Sequence, residues 1–344
     1  MTTSKVKPQG SHLMGSVPLE TVDEVFTTAD AILGRHLKRV PDDELGSRTN
    51  WVAWQYPLLA QMPGFDEVPR TGDPYVNRPI LKVQPGITSA DLSLGSLGYA
   101  DAAVDSYRRF KALKENGSLS QHLRFQVGLP APLEPVIGMF TAESREIIAP
   151  LYEERMLEEL GAILAQIPHD ELAIQWEVCY QLGVLEGIWE IFFPDAETEI
   201  PSRLAKLAGL VPPSVQAGFH LCYGDSGHRH FKQPEDTGIM VRVANGIFAA
   251  SPRPIDWVHM PVPRDRSDEA YFKPLGDLSL PGETDLFLGV IHNTDGEEGA
   301  NRRIAAAGRV IDRFGVAAEC GLGRRPPETV PGLFRTHANV SEPF

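Results

Sequence analysis

The chain has 344 residues, 42% of them hydrophobic and 23% charged, which suits a globular fold with a large core. A formal net charge of −14 and an isoelectric point of about 5.2 argue against nucleic acid or an anionic membrane surface as a partner. Three cysteines, Cys179, Cys222 and Cys320, are too few and too odd a set for a disulfide framework. The same sparse set points to a reducing, cytoplasmic setting, and neither a charged-then-apolar leader nor a run of membrane-spanning length is visible.

Short apolar runs alternate with helical patterns along most of the chain, the signature of βαβ units and a parallel sheet. The first strand is expected at residues 12–15, followed by a helix over 19–33 and a second short strand at 37–40. A long irregular stretch at 41–97 comes next, rich in Pro and Gly and carrying Trp51, Trp54 and Tyr56. Those aromatics fit either a lid over a planar substrate or the packing of the loop itself. A helix at 100–114 leads to a strand at 123–128, then a long helix at 143–166 and a strand at 172–178. Helical segments run on to 210, then a strand at 216–222, a helix at 237–249 and a strand at 255–260. The seventh strand is expected at 286–292, a helix at 300–314, and the eighth strand at 316–320. Eight strands with intervening helices predict an α/β fold, a single (β/α)8 TIM barrel over 1–344 with an insertion at about 45–97.

Such barrels gather their chemistry at the C-terminal ends of the strands. Ser16 follows the first strand, Glu44 the second, and Glu177 lies near the end of the fourth. His220 and Cys222 close the fifth, His259 lies in the sixth, His292 ends the seventh and Cys320 the eighth. Residues two apart in a strand point to the same side, so His220 and Cys222 present an imidazole and a thiol together. Cys320 arrives from a distant strand at the same mouth. Two sulfurs and one nitrogen suit zinc, and three ligands leave a position for a substrate atom. Cys179 shares the side of Glu177 but reads as a core residue. The loop His228-Arg229-His230 reads as solvated, and Arg324 and Arg325 suit either an anion or the surface.

These residues resemble the catalytic, C-terminal barrel of the cobalamin-independent methionine synthase family and its single-barrel relatives. The resemblance covers most of residues 10–335 and is patchy between 45 and 97. Met14-Gly15-Ser16-Val17-Pro18 is similar to the family's Ile-Gly-Ser-x-Pro, and Asp43-Glu44-Leu45-Gly46-Ser47-Arg48 to its Gly-Glu-x-x-Arg with one residue inserted. Ile174-Gln175-Trp176-Glu177 resembles its Ile-Gln-x-Asp strand. His220-Leu221-Cys222-Tyr223 and Glu319-Cys320-Gly321-Leu322 match its two zinc motifs, and Gly289-Val290-Ile291-His292 the strand of its proton donor.

The resemblance implies a zinc-dependent methyl- or alkyltransferase acting on a thiol such as homocysteine. Ser16, Glu44 and Glu177 would hold the amino-acid part of that thiol, and His292 would protonate the leaving group. The family's fourth zinc ligand is a glutamate, and Pro261 stands in its place here. His259, two residues earlier and facing the same side, fits either a substitute ligand or a packing residue. The family's tryptophan platform for folate is not recognisable in residues 129–134, and its second, N-terminal barrel is absent. A small methyl donor or a corrinoid protein is therefore the expected partner. Two other readings stand beside this one. One is a metal-independent lyase or decarboxylase of the uroporphyrinogen decarboxylase type, which leaves His220, Cys222 and Cys320 without a purpose. The other is a barrel that binds a ligand without turning it over.

Overall fold

A computed structural model describes residues 7–42, 44–70 and 78–344. The chain enters through a two-residue strand, β1 (Ser11–His12), and α1 (Val22–Leu33), whose first turn is capped by Thr21 accepting from the Glu24 amide. The buried face of α1 is Val25, Phe26, Ala29 and Leu33, the helical spacing that marks a stripe against a sheet. β2 (Arg39–Pro41) follows, then 3-10 turns over Gly46–Gln55 and α2 (Tyr56–Ala60). An antiparallel hairpin comes next, β3 (Phe65–Val68) and β4 (Ile80–Val83). The stretch expected to be irregular thus has structure of its own, in residue 41–97 segments too short for a clear period.

From α3 (Tyr99–Glu115) onward the alternation is regular: β5 (Arg124–Pro130), α4 (Leu133–Met139), α5 (Ala142–Gln166), β6 (Leu172–Val178), α6 (Tyr180–Leu185) and α7 (Ala196–Gly209). Then come β7 (Gln216–Leu221), α8 (Gly238–Ala250), β8 (Trp257–Pro261), α9 (Glu269–Phe272), β9 (Asp285–Ile291), α10 (Gly296–Ala307), β10 (Gly315–Ala318) and α11 (Val330–Val340). All seven positions of β6 are buried, as a strand covered on both faces requires.

Eight strands form one parallel sheet in the order β1-β10-β9-β8-β7-β6-β5-β2, a nearly closed α/β barrel of the TIM type. β1 and β2 stand at the two ends of that order. Where they meet, glutamines from the barrel interior take up the backbone. Gln126 donates to the Leu13 and Met14 carbonyls at 2.9 and 3.2 Å, and Gln175 donates to Met14 at 2.8 Å. This is why the strand expected at 12–15 stops at His12: the next carbonyls bond to side chains instead of a neighbouring strand. Gln175 also accepts from Trp257 and His12 below it, at 3.2 and 2.6 Å. A polar column therefore runs up the barrel axis to the floor of the C-terminal mouth. The described residues contain no helix long and apolar enough to cross a membrane.

Candidate metal centre

Strand ends carry the reactive groups to one place. His220 is the fifth residue of β7, Cys222 follows that strand directly, and Cys320 stands two residues beyond β10. Their ligand atoms all lie within 4.8 Å of one another. The two sulfurs are 3.6 Å apart and the cysteines are free thiols. A tetrahedral cation bonded to sulfur at about 2.3 Å holds two sulfurs about 3.8 Å apart, so this spacing fits a shared ion.

The histidine side supports the same reading through its tautomer. His259 Nε2 lies 3.0 Å from the Ala318 carbonyl, which only accepts, so Nε2 carries the proton. Burial lowers the His259 pKa to about 3, so the ring is neutral and its Nδ1 is a bare acceptor. His220 Nδ1 is 2.7 Å from that atom and must donate. His220 Nε2 is left with a lone pair, buried and without a hydrogen-bond partner. Burial, with His259 second, also depresses the His220 pKa well below its usual value, which keeps the ring neutral. A buried, unsatisfied nitrogen lone pair beside two thiols is what a cation site needs.

His259 itself is not brought to the sulfurs. Both its nitrogens are engaged, one by Ala318 and one by His220, so it stands behind the cluster rather than in it. Register explains the placement: His220 and His259 are paired across β7 and β8. Pro261 lies at the end of β8, and its carbonyl accepts from the Tyr271 hydroxyl at 2.9 Å.

Cys179, expected in the core, lines the same cavity as Cys222 and Cys320. Contact with Cys179 and then burial push the Cys222 thiol above its ordinary range, and contact with Cys222 and burial do so for Cys320. Without a cation these thiols stay protonated.

Two carboxylates face each other beside the cluster. A Cβ on Gly128 would stand 3.2 Å from Oε1 of both Glu44 and Glu177, a tight approach that a glycine relieves. Burial raises the Glu44 pKa to about 7, opposed by a hydrogen bond from the Ser16 hydroxyl. Burial raises Glu177 further, with the Glu44 charge the next cause. Gln175 donates to Glu177 Oε1 at 2.6 Å, and Glu177 Oε2 lies 3.8 Å from His220 Nε2. Ser16 and Glu44 both hold positive φ, 48° and 45°, a conformation that costs energy outside glycine and clusters at functional sites.

His292 follows β9 directly, at the expected strand end. Its Nε2 donates to the Val262 carbonyl at 2.8 Å, and its Nδ1 lies 3.5 Å from Glu319 Oε1. Glu319 also meets His230 Nε2 at 3.3 Å, so His230 is buried rather than solvated, while His228 is exposed. Burial alone would raise the Glu319 pKa, but hydrogen bonds from His230 and His292 pull it well down. His292 is not among the residues lining the cavity.

That cavity measures about 310 Å³, walled by Ser16, Glu44, Glu177 and the cysteines on one side and by Trp51, Arg78 and Tyr180 on the other. Trp51 and Tyr180 lie stacked with centroids 6.1 Å apart, while Trp54 packs edge-on against Tyr99. Arg324, which lines the cavity too, is held by Asp225 at 3.0 Å.

Fold and site together define a TIM-type barrel with a Cys/His cluster and a carboxylate pair at its C-terminal mouth. Among solved structures, it is similar to a B12-independent methionine synthase from Shewanella sp. W3-18-1 in complex with selenomethionine. The two share 12% identity with a TM-score of 0.57, over 96% of each chain. A protein from Listeria monocytogenes assigned as a vitamin-B12-independent methionine synthase matches at 13% identity over 98% of each chain, also with a TM-score of 0.57. At such identities the likeness is one of fold. No protein-family model matches the sequence, and no curated protein does.

Proposed function

We propose that the protein is a zinc-dependent methyl- or alkyltransferase that alkylates a thiol such as homocysteine. The observation that carries this reading is the bare His220 Nε2 beside two thiols 3.6 Å apart, next to a carboxylate pair in one cavity. His220, Cys222 and Cys320 would hold zinc, for which two sulfurs and a nitrogen are an apt set. Zinc bound there would lower the pKa of a coordinated thiol and supply it as a thiolate at neutral pH.

The rest of the site has work suited to an amino-acid thiol. Glu44 and Glu177 offer carboxylate oxygens to the substrate ammonium, whose charge would release the repulsion between them. Ser16 fixes the Glu44 carboxylate through its hydroxyl. His259 orients His220 and sets its tautomer, a supporting role in place of direct ligation. His292, with both nitrogens engaged, serves here to position Glu319 and through it the neighbouring Cys320, rather than as the proton donor. In the transfer itself the substrate sulfur forms a bond to the donor's alkyl carbon, and the leaving group departs with the electron pair.

The donor would be a small alkyl compound or a corrinoid protein. The segment that follows β5, residues 131–139, carries no aromatic side chain, and the aromatic wall comes instead from Trp51 and Tyr180. The test incubates zinc-loaded protein with homocysteine and either methylcobalamin or methyltetrahydrofolate, and quantifies methionine by mass spectrometry. Turnover with methylcobalamin well above that with folate supports the reading. No product from a metal-loaded protein with either donor would favour the ligand-binding alternative.

A further inference from the structure

We propose that Cys179 is a third sulfur ligand, completing a four-coordinate centre of one nitrogen and three sulfurs with His220, Cys222 and Cys320. The inference rests on reading the cluster as a metal centre and adds the ligand that Pro261 cannot supply.

Register carries the argument first. Across β6 and β7, Glu177 pairs with His220 and Val178 with Leu221. The ladder continues one step further, because the Cys222 amide donates to the Val178 carbonyl at 2.8 Å. The next rung sets Cys179 beside Cys222. Alternation then points Cys179 the way Glu177 points and Cys222 the way His220 points, and all four line the cavity. The two thiols are near enough that each shifts the other's pKa. All three cysteines of the chain line one cavity. The Cys179 sulfur stands outside the group of His220, Cys222 and Cys320 whose ligand atoms lie within 4.8 Å of one another, so a rotation of its side chain would bring it to the ion.

The alternatives for the fourth position are weaker. His259 has spent both nitrogens, and the Pro261 carbonyl is bonded to Tyr271. Glu177 is the rival, with Oε2 3.8 Å from His220 Nε2. Its carboxylate is shared with Gln175 and faces Glu44, and a borderline-soft cation prefers thiolate. Cys179 also has a place in the proposed chemistry. It lies two residues from Glu177 on the same cavity wall, so it would stand on the side from which a substrate anchored there by its ammonium would approach. Cys179 is then the ligand that the incoming thiol would displace.

Cobalt(II) reports the number of thiolates through its sulfur-to-metal absorption in the near ultraviolet, without any need for turnover. Wild type, Cys179→Ser and Glu177→Gln are loaded with cobalt and compared at equal metal content. The proposal expects Cys179→Ser to lose about one third of the band, as the change from three thiolates to two requires, with Glu177→Gln unchanged. X-ray absorption on zinc-loaded wild type gives the same count without any variant, and three sulfurs with one nitrogen are expected. A Cys179→Ser band equal to wild type, or two sulfurs in the wild-type zinc spectrum, overturns Cys179 as a ligand and leaves the metal centre standing. Failure of wild type to take up either metal overturns the underlying reading instead.

Discussion

His259 hands its Nε2 proton to Ala318 and accepts from His220 with Nδ1, and that relay alone leaves the His220 lone pair facing the sulfurs. Removing it frees both the orientation and the tautomer of His220. His259→Ala is expected to weaken metal binding by about 10- to 100-fold while keeping the stoichiometry at saturation, read by competition with a chelator. Unchanged affinity would show that His220 needs no support. Glu44 makes a second prediction at this scale. Its folded pKa of about 7 lies above the ordinary carboxyl value of 4.5, so the folded state holds a proton that the unfolded state has lost between those values. Stability thus falls as pH rises through 4.5 to 7, by about 3 kcal/mol for a shift of this size, and the cost persists above 7. In the metal-free protein, Glu44→Gln should raise the Tm at pH 8 and leave it nearly unchanged at pH 4.5, read by calorimetry. An equal effect at both values would sink the assignment. His220, Cys222 and Cys320 could be read from sequence because alternation and strand ends decide where such residues point. The partners of His259 could not, since they depend on the β7–β8 register and on a carbonyl from β10.

Between residue and barrel lies the segment from β2 to α3, and it builds the far wall of the cavity. Its 3-10 turns break at Trp51, which holds a φ of 43° and so swings out of the helical path. The β3–β4 hairpin docks on the start of α5, where the Thr141 amide donates to the Leu81 carbonyl at 2.9 Å and the Val83 amide to the Ser144 hydroxyl at 3.0 Å. Trp51 and Arg78 then face the cavity from opposite ends of this segment, and the Arg78 guanidinium lies over the Tyr56 ring at 5.4 Å. If this wall receives the alkyl donor, Trp51→Ala removes a stacking surface worth about 0.5–1.5 kcal/mol. Donor affinity should fall by roughly twofold to tenfold, with zinc content unchanged. An unaltered donor KM would place the donor elsewhere. The sequence hid this wall for a physical reason. Residues 45–97 mix two-stranded and 3-10 segments of a few residues, each shorter than the window that a period needs, whereas α3 and α5 run long enough to declare themselves.

Seen over the whole barrel, the candidate ligands bridge strands that are not neighbours. β7 supplies His220 and Cys222, β10 leads to Cys320, and β8 and β9 stand between them in the sheet. A bound ion would therefore tie the mouth across a third of its circumference. The interior column beneath, from His12 through Gln175 to Glu177 and the Met14 carbonyl, already joins the loosely paired β1 to the same floor. An ion that binds the folded chain and has no preformed site in the unfolded one must raise stability by mass action. At free zinc 100-fold above Kd the gain is about 2.7 kcal/mol. Thermal melts should thus show a Tm that rises by several degrees with zinc and falls back with chelator, and neither response should survive in Cys222→Ser or Cys320→Ser. The variants separate this effect from metal scavenged by surface carboxylates, which they leave in place. A zinc-induced rise of full size in both variants would move the site away from the barrel mouth; no rise in wild type would leave the three side chains as a packed polar core.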